Sequence, residues 1–428
     1  MHSLHRVLAP VVAPLLALGA GLTPLAAQST SVQPVSAAAI RVSTAAATGA
    51  ALPLTLAPFK RGDMLFNTDA NGSLYVRNGR DARPKLLLAA GSYDAVAPSN
   101  DGKYIAYTLP GSAASGAGSD LRVRSIETGR DLSDVLHNTI VSRKPWTHNE
   151  KGFFYTREDP ADRRQRVYYH SLGKDQSRDA VVLSQMDQPE WRYDASVSDD
   201  GHFAVFTISH PADAHTRLYF IDLDNPGRPT LNAPIVRLID AFSARYSFVD
   251  NAGSYFFLQT DRDAPLGSVV LANTDMTRVS SWPVVIPQSA DTLVYVRTAG
   301  DEFVLPVYRV GTANVARVYG PPDPAAMRAE FQKRIDSLRK ERADAEREGR
   351  RDRDISDAMR MRAPAAIRLE RGSDFPVPAG ASIVAMNTIA DNEEVFYTLR
   401  MPDGSTRSLL YNIKNRRSEP FPSGAQTR

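Results

Sequence analysis

Residues 199–206 read DDGHFAVF, two acidic residues and a glycine followed by a run of apolar and aromatic residues. Glycine turns freely and the acidic side chains can bond their own backbone, so the segment predicts a β-hairpin that leads into a buried strand. Three further segments share this pattern, namely NDGKYIAY (100–107), NEKGFFY (149–155) and DNAGSYFFL (250–258). Successive glycines of the four segments lie 50, 49 and 52 residues apart. This repetition indicates a fold made of similar sheet units.

Weaker copies of the unit occur around Gly62, Gly300 and Asn392, which brings the number of units to seven. From Gly152 onward a second strand follows each turn glycine after 14 to 16 residues, and a further strand closes several units. A unit of about 50 residues with three or four strands matches a propeller blade, whereas a sandwich would show turns every 8–12 residues without this long-range similarity. The sequence therefore predicts an all-β fold, a seven-bladed β-propeller over residues 57–428.

Residues 321–363 interrupt the sixth unit with 12 Lys/Arg and 10 Asp/Glu. Strong helix formers dominate between Pro324 and Pro364, and Asp323 is a candidate N-cap, so we expect a charged α-helical insertion in the sixth blade. One narrow apolar stripe runs along it, formed by Met327, Phe331, Ile335 and Leu338. Two interpretations stay open, a solvated helical hairpin held by charge pairs and a docking element that a partner covers.

The first 27 residues have a weakly positive start, an apolar run from Val7 to Leu25 and small residues at the end. This pattern predicts a signal peptide over 1–27, and Pro10, Pro14 and Pro24 disfavour a membrane-spanning helix. Residues 28–56 are rich in Ala, Ser and Thr and nearly uncharged, which predicts a flexible leader. We therefore expect an exported, periplasmic or secreted protein with no membrane span after signal cleavage.

The composition excludes several classes of site. The 428-residue chain has no cysteine, which excludes disulfides, a thiol nucleophile and Cys-ligated zinc or iron–sulfur centres. The net charge of +3, from 51 Lys+Arg against 48 Asp+Glu, gives little reason to expect a nucleic-acid partner. No metal or cofactor site is predicted. His210, Asp213 and His215 could be drawn as a metal site, but they lie in a polar loop and no third strong ligand joins them.

Several ordered motifs carry a family resemblance. They are the run from Pro98 to Val135, PWTHNEKGFFYTRE from Pro145, QRVYYHSLG from Gln165, PEWRYDASVSDDG from Pro189 and RLYFIDL from Arg217. These motifs resemble the propeller of the prolyl oligopeptidases, serine peptidases of the S9A group. The resemblance implies a seven-bladed propeller that gates a separate α/β-hydrolase domain, which carries a Ser-Asp-His triad and to which the propeller admits short peptides.

The residues for that catalysis are not found in this sequence. An α/β-hydrolase needs a Gly-x-Ser-x-Gly elbow, yet no serine here has glycine at both flanking positions. The final histidine is His215, whereas the family's triad order places histidine last. We therefore expect no catalytic residues in this chain and no hydrolase domain. The family's substrate-facing propeller positions fall near Val141, Arg192 and Ile221, and no binding role is assigned to them.

The leading functional hypothesis is an exported, non-catalytic propeller that binds short peptides or a protein partner, among which a separate α/β-hydrolase is one candidate. The alternative is the gate half of a split or truncated prolyl oligopeptidase-like endopeptidase whose hydrolase domain is encoded separately. A third hypothesis is an extracytoplasmic sensor or scaffold that uses the helical insertion.

Overall fold

A computed structural model describes residues 57–69, 71–110, 119–142, 144–159, 161–185, 187–275, 279–300, 302–322, 369–388 and 392–421. The fold is all-β, with strands β1 to β27 in chain order, and every sheet is a meander of consecutive antiparallel strands. The regular helices of the described part are two short 310 turns, Gln176–Arg178 and Val279–Ser281. None of them is long and apolar enough to cross a membrane.

The first two sheets come from the N-terminal half. Sheet 1 comprises β1 (Phe59–Arg61), β2 (Met64–Thr68), β3 (Leu74–Asn78) and β4 (Lys85–Leu88). Sheet 2 comprises β5 (Val96–Pro98), β6 (Tyr104–Thr108), β7 (Ser119–Ser125), β8 (Asp131–Ile140), β9 (Gly152–Glu158), β10 (Gln165–Ser171) and β11 (Ala180–Leu183).

Four further sheets have four strands each. Sheet 3 comprises β12 (Arg192–Val197), β13 (Phe203–His210), β14 (Asp213–Asp222) and β15 (Val236–Ile239). Sheet 4 comprises β16 (Tyr246–Ala252), β17 (Tyr255–Thr260), β18 (Ser268–Asn273) and β19 (Val284–Ile286). Sheet 5 comprises β20 (Thr292–Ala299), β21 (Phe303–Val310), β22 (Ala313–Gly320) and β23 (Glu370–Asp374). Sheet 6 comprises β24 (Ser382–Thr388), β25 (Glu394–Arg400), β26 (Thr406–Asn412) and β27 (Arg417–Pro420).

The prediction of a propeller with seven separate blades is wrong, since the described residues form six sheets. Five sheets have four strands, and sheet 2 has seven, because the end of the ten-residue strand β8 pairs with β9 at Thr139↔Arg157 and Ile140↔Thr156. The inner strand expected before β9 is reduced to a single bridge between Trp146 and Phe153. The described part contains no α-helix. The insertion predicted over 321–363 falls between β22 and β23, and its residues from 323 onward lie outside the described residues, as do 1–27 and 28–56.

The apolar cores lie between neighbouring sheets and close the sheets into a ring. Clusters of buried side chains join sheets 1 and 2, 2 and 3, 3 and 4, 4 and 5, and 5 and 6. A smaller cluster of Leu65 with Phe396, Leu410 and Phe421 joins sheet 6 back to sheet 1. Each buried aromatic or aliphatic side chain contributes roughly 1.5–3 kcal/mol, so face-to-face packing of the sheets supplies the stability. This circular arrangement is a β-propeller.

The ring closes without a shared sheet. Sheet 1 and sheet 6 are each built from one consecutive stretch of chain, and they meet through side chains. The Asn387 amide on β24 donates hydrogen bonds to the carbonyls of Ala57 and Pro58, both at 3.1 Å. Arg80 forms ion pairs with Glu394 and Glu419 across the same joint. The closure therefore depends on a few polar contacts and one small apolar cluster.

Candidate functional site: a charged cluster at the hub

The repeated polar turn has the same internal geometry in two sheets. In sheet 2 the Ser99 hydroxyl donates to Asp101 at 2.8 Å, and the same carboxylate accepts the Lys103 amide at 3.0 Å. In sheet 3 the Ser198 hydroxyl donates to Asp200 at 2.7 Å, and that carboxylate accepts an amide two residues on at 3.0 Å. The acidic residues of the turns therefore satisfy backbone amides of their own hairpins, which supports a structural role over calcium binding.

An acidic residue from the next unit caps each of these turns. Glu150 accepts the backbone amides of Asn100 and Asp101 at 3.3 and 3.2 Å, and Asp250 accepts the amide of Asp199 at 3.0 Å. Burial, followed by the nearby Asp101 carboxylate, raises the pKa of Glu150 to about 7. The turns thus make a chain of polar contacts that passes from one unit to the next.

Side chains from sheets that are not neighbours meet in one charged cluster. The Lys144 ammonium, which lies between β8 and β9, is 2.5 Å from Asp199 and 3.2 Å from Asp250, and Thr298 donates to the same Asp250 carboxylate at 3.2 Å. Lys144, Asp250 and Thr298 belong to sheets 2, 4 and 5. In a ring of radial sheets such contacts are possible only at the axis, where β16, β20, β24 and β1 touch in turn. We call Lys144, Asp199, Asp250, Arg297 and Thr298 the hub cluster.

The two carboxylates of the hub cluster differ in charge state. Burial alone would raise the pKa of Asp199, but the Lys144 ammonium and hydrogen bonds hold it well below its ordinary range. Burial and the neighbouring Asp199 carboxylate raise the pKa of Asp250 well above its ordinary value. Two carboxylates this close cannot both ionise readily, so Asp199 carries the negative charge near neutral pH and Asp250 keeps a proton.

Two more charged side chains stand on the inner strands. Arg297, on β20, is partly exposed, yet burial lowers the pKa of its guanidinium and its charge acts on Asp199. Asp194, on β12, is also partly exposed, and burial raises its pKa to about 7. Both side chains are therefore largely desolvated and yet keep some contact with solvent.

The family-implied positions do not form a pocket. Val141 and Ile221 are 5% and 0% exposed and lie in two different core clusters. Arg192 is partly exposed and donates to the carbonyls of Pro189 and Trp191 at 3.3 and 3.2 Å. The neighbouring Trp191 is 6% exposed in the core between sheets 2 and 3.

The histidines of the loop considered for a metal have separate partners. His210 contacts Glu190 at 3.0 Å, and His215 contacts Asp213 at 2.8 Å. A search of the described residues finds no group of three or more potential His, Asp or Glu metal ligands. The geometry of this loop therefore gives no support to a metal site there.

The hub cluster was not predicted from the sequence, although a signal for it exists. Asp250 belongs to strand β16 rather than to the turn in which the sequence placed it. Asp194 and Arg297 likewise stand inside inner strands, within YDAS and VYVRT, where an isolated charge is costly unless it faces solvent or a partner. Charged residues within apolar strands of a repeat protein were the available clue.

A second concave feature lies at the rim. It is an apolar groove of 440 Å³ between edge strand β11 and the 231–235 segment, and Val181 is 52% exposed beside it. An outer edge strand with exposed valine is a surface that could pair with another chain. It carries none of the charges that distinguish the hub.

Comparison with known proteins shows which family the chain resembles. A family model described as the prolyl oligopeptidase N-terminal β-propeller domain matches residues 89–399. The dual function macrocyclase-peptidase POPB of Galerina marginata is 28% identical over 250 residues, which cover 53% of this chain and 33% of that protein. The prolyl endopeptidase of Elizabethkingia meningoseptica is 24% identical over 271 residues, which cover 58% and 36%.

Solved structures share the fold. A prolyl endopeptidase studied for inter-domain dynamics superposes with a TM-score of 0.66 at 20% identity, covering 86% of this chain and 49% of the other. Prolyl oligopeptidase B from Galerina marginata, bound to a 35mer hydrolysis and macrocyclization substrate, superposes with a TM-score of 0.62 at 18% identity, covering 90% and 52%. The chain spans about a third of the length of these curated relatives and about half of these solved chains.

Proposed function

The chain belongs to the family of prolyl oligopeptidase N-terminal β-propeller domains, and on that premise we propose that it binds peptides at its hub without cleaving them. The observation that carries the proposal is the hub cluster, in which side chains of sheets 2, 3, 4 and 5 converge. A peptide is a narrow, polar chain with charges at its ends, which suits a channel lined by a few fixed charges.

Two further observations support a peptide as ligand. The relatives are named peptidases, and one solved relative is bound to a 35mer peptide substrate. This chain would bind the same class of ligand without hydrolysing it, because the sequence lacks a Gly-x-Ser-x-Gly elbow and any histidine after His215.

The cellular setting belongs to the same proposal. Residues 1–27 would act as a cleaved signal peptide and 28–56 as a leader, so the propeller would work in the periplasm or outside the cell. N-terminal sequencing of the protein recovered from the producing cells tests this point. A mature N-terminus near Gln28 is expected, and an intact Met1 in the soluble cytosolic fraction would contradict it.

Binding without cleavage is tested with one substrate. The purified chain is incubated with a proline-containing fluorogenic peptide, with and without a serine-reactive inhibitor. We expect no release of fluorophore at any protein concentration. Turnover that the inhibitor abolishes would overturn the non-catalytic part of the proposal.

A second function is favoured by the partial match to the curated relatives, which this chain covers over only about a third of their length. In this alternative the chain is the gate of an endopeptidase whose hydrolase domain is encoded separately. The neighbouring genes discriminate the two proposals. An adjacent reading frame with a Gly-x-Ser-x-Gly elbow, together with a hydrolase that copurifies with the propeller, would favour the alternative.

A further inference from the structure

Arg297 is one of six arginines of the described residues that lie over an aromatic ring. Its guanidinium carbon lies 4.8 Å from the centre of the Tyr295 ring, and its Nη1 donates a hydrogen bond to the Val296 carbonyl at 3.0 Å. Its Nε has no hydrogen-bond partner within the described part of the chain. A guanidinium has five N–H donors, so most of this group's donor capacity is open.

Other arginines of the protein contact both an aromatic ring and a carboxylate. Of the five other arginines of the described residues that lie over an aromatic ring, four also bind an aspartate. They are Arg124 with Asp131 at 2.7 Å, Arg217 with Asp240 at 2.8 Å, Arg237 with Asp240 at 3.4 Å and Arg317 with Asp291 at 2.5 Å. At Arg297 the ring is in place, and no carboxylate of the described residues lies within ion-pair distance. Arg297 therefore has the aromatic ring but lacks the carboxylate that accompanies these four arginines.

The nearby carboxylates do not act as an ion-pair partner for Arg297. Asp199, whose field reaches Arg297, is already held by the Lys144 ammonium at 2.5 Å and is also acted on by Arg61. Asp250 shares its proton-bearing carboxylate between Lys144 and Thr298. Near neutral pH the hub cluster thus holds two cations, Lys144 and Arg297, and one full negative charge, on Asp199. A cation left inside a protein without a counter-charge is costly, and a bound anion relieves that cost.

We propose that Arg297 and Tyr295 form the recognition point for a carboxylate of the bound peptide, completing at the hub the arginine–aromatic–carboxylate arrangement found elsewhere in the protein. The ring holds the planar guanidinium in one orientation, so that its free edge can bind both carboxylate oxygens. The carboxylate is either the C-terminus of the peptide or an acidic side chain, and the experiment separates the two. This inference rests on the proposed peptide binding for its biological ligand, but the site itself can be tested without a peptide.

The first measurement uses glutarate, a small dicarboxylate, on the purified full chain. Melting temperatures are compared in sodium glutarate and in sodium chloride of equal ionic strength. We expect glutarate to raise the melting temperature of the wild type, since a ligand that binds only the folded state stabilises it, and to leave Arg297→Gln unchanged. Arg309→Gln removes an exposed arginine from the same sheet and is the matched control, which should respond like the wild type. An equal response of wild type and Arg297→Gln, or none in either, overturns the carboxylate site.

The second measurement uses labelled Ala-Ala-Pro-Ala-Ala as the free acid, as its C-terminal amide, and as an amide with Glu in the last position. We expect the free acid to bind at least about tenfold more tightly than the plain amide, a ratio that Arg297→Gln abolishes and Arg297→Lys partly restores. If the amide with Glu in the last position binds as tightly as the free acid, the site also accepts a side-chain carboxylate. Equal binding of acid and amide overturns the inference and leaves peptide binding standing. A glutarate response without binding of any peptide upholds the carboxylate site and overturns the proposed function.

Discussion

His170 provides the sharpest test of how the long sheet 2 is held together. The imidazole is fully buried, and its Nε2 is 2.9 Å from Asp134 on β8, while its Nδ1 is 3.0 Å from Asp179 before β11. Tyr155 donates to the same Asp179 carboxylate at 2.8 Å. Because β9 lies between β8 and β10, the histidine links the two parts of the sheet that the sequence predicts as separate units.

Replacement of His170 by glutamine should strongly destabilise the protein. The flanking carboxylates are only 1% and 2% exposed, so the variant leaves both of them buried without the positive charge that the imidazolium places between them. Removing one partner from a buried ion pair costs about 3–5 kcal/mol. His137→Gln is the control, since that histidine also pairs with an aspartate in sheet 2 but is 61% exposed and should contribute far less.

The stabilisation that His170 provides should change with pH in a definite direction. Burial alone would lower the pKa of His170, but the hydrogen bonds that its ring donates to Asp179 and Asp134 raise it above its ordinary value of 6.5. A raised pKa means that the folded state holds the proton more tightly than the unfolded chain. The stabilisation is therefore complete below about pH 6.5 and declines as the pH rises through the folded pKa, by at most about 1.4 kcal/mol per pH unit.

Urea denaturation of wild type and His170→Gln from pH 6 to pH 9, followed by tyrosine and tryptophan fluorescence, measures this effect. The difference in unfolding free energy between the two proteins should be largest at pH 6 and shrink toward pH 9. A difference below about 1 kcal/mol at pH 6, or one that grows with pH, would refute the charged histidine link.

Three other changes test the buried charge on strand β12, the repeated turn and the ring closure. Asp194→Asn should leave the free energy of unfolding unchanged near pH 4 and raise it at pH 8 by at most about 4 kcal/mol, because burial raises the pKa of Asp194 to about 7 and makes its ionisation in the folded state costly. Equal unfolding free energies of wild type and variant at pH 8 would contradict this. Gly201→Ala should lower the melting temperature more than Gly173→Ala, since both glycines have left-handed φ but only the first would place a Cβ 2.5 Å from an imidazole ring. Asn387→Ala should cost about 1–3 kcal/mol in a chemical denaturation experiment, because two backbone carbonyls at the joint of sheets 6 and 1 lose their donor; an unchanged midpoint would show that the apolar cluster closes the ring alone.

The propeller class was predictable because its signal is local and repeated. Each Asp/Asn-Gly turn, such as the one ending at Gly201, fixes a hairpin through its own hydrogen bonds, and the spacing between turns gives the unit. The number of separate sheets was not predictable. Two backbone pairs at the end of β8 join two units, and nothing in the residues Thr139 and Ile140 distinguishes a strand that stops at its own sheet from one that reaches the next.

The candidate site was the harder part to predict because it is assembled from distant segments. Lys144 and Asp250 are 106 residues apart and meet only after four sheets have packed around the axis. A sequence window shows each as an ordinary polar residue near a turn. The family-implied positions Val141 and Ile221, to which no binding role was assigned, are apolar and are buried by the packing of neighbouring sheets.

Calorimetric titration of free-acid Ala-Ala-Pro-Ala-Ala into the purified chain, with mass spectrometry of the peptide afterwards, tests the central claim most directly. Peptide binding at the hub without cleavage predicts saturable binding near one peptide per chain and recovery of the intact pentapeptide. Lack of binding, or recovery of fragments cut after proline, would contradict it.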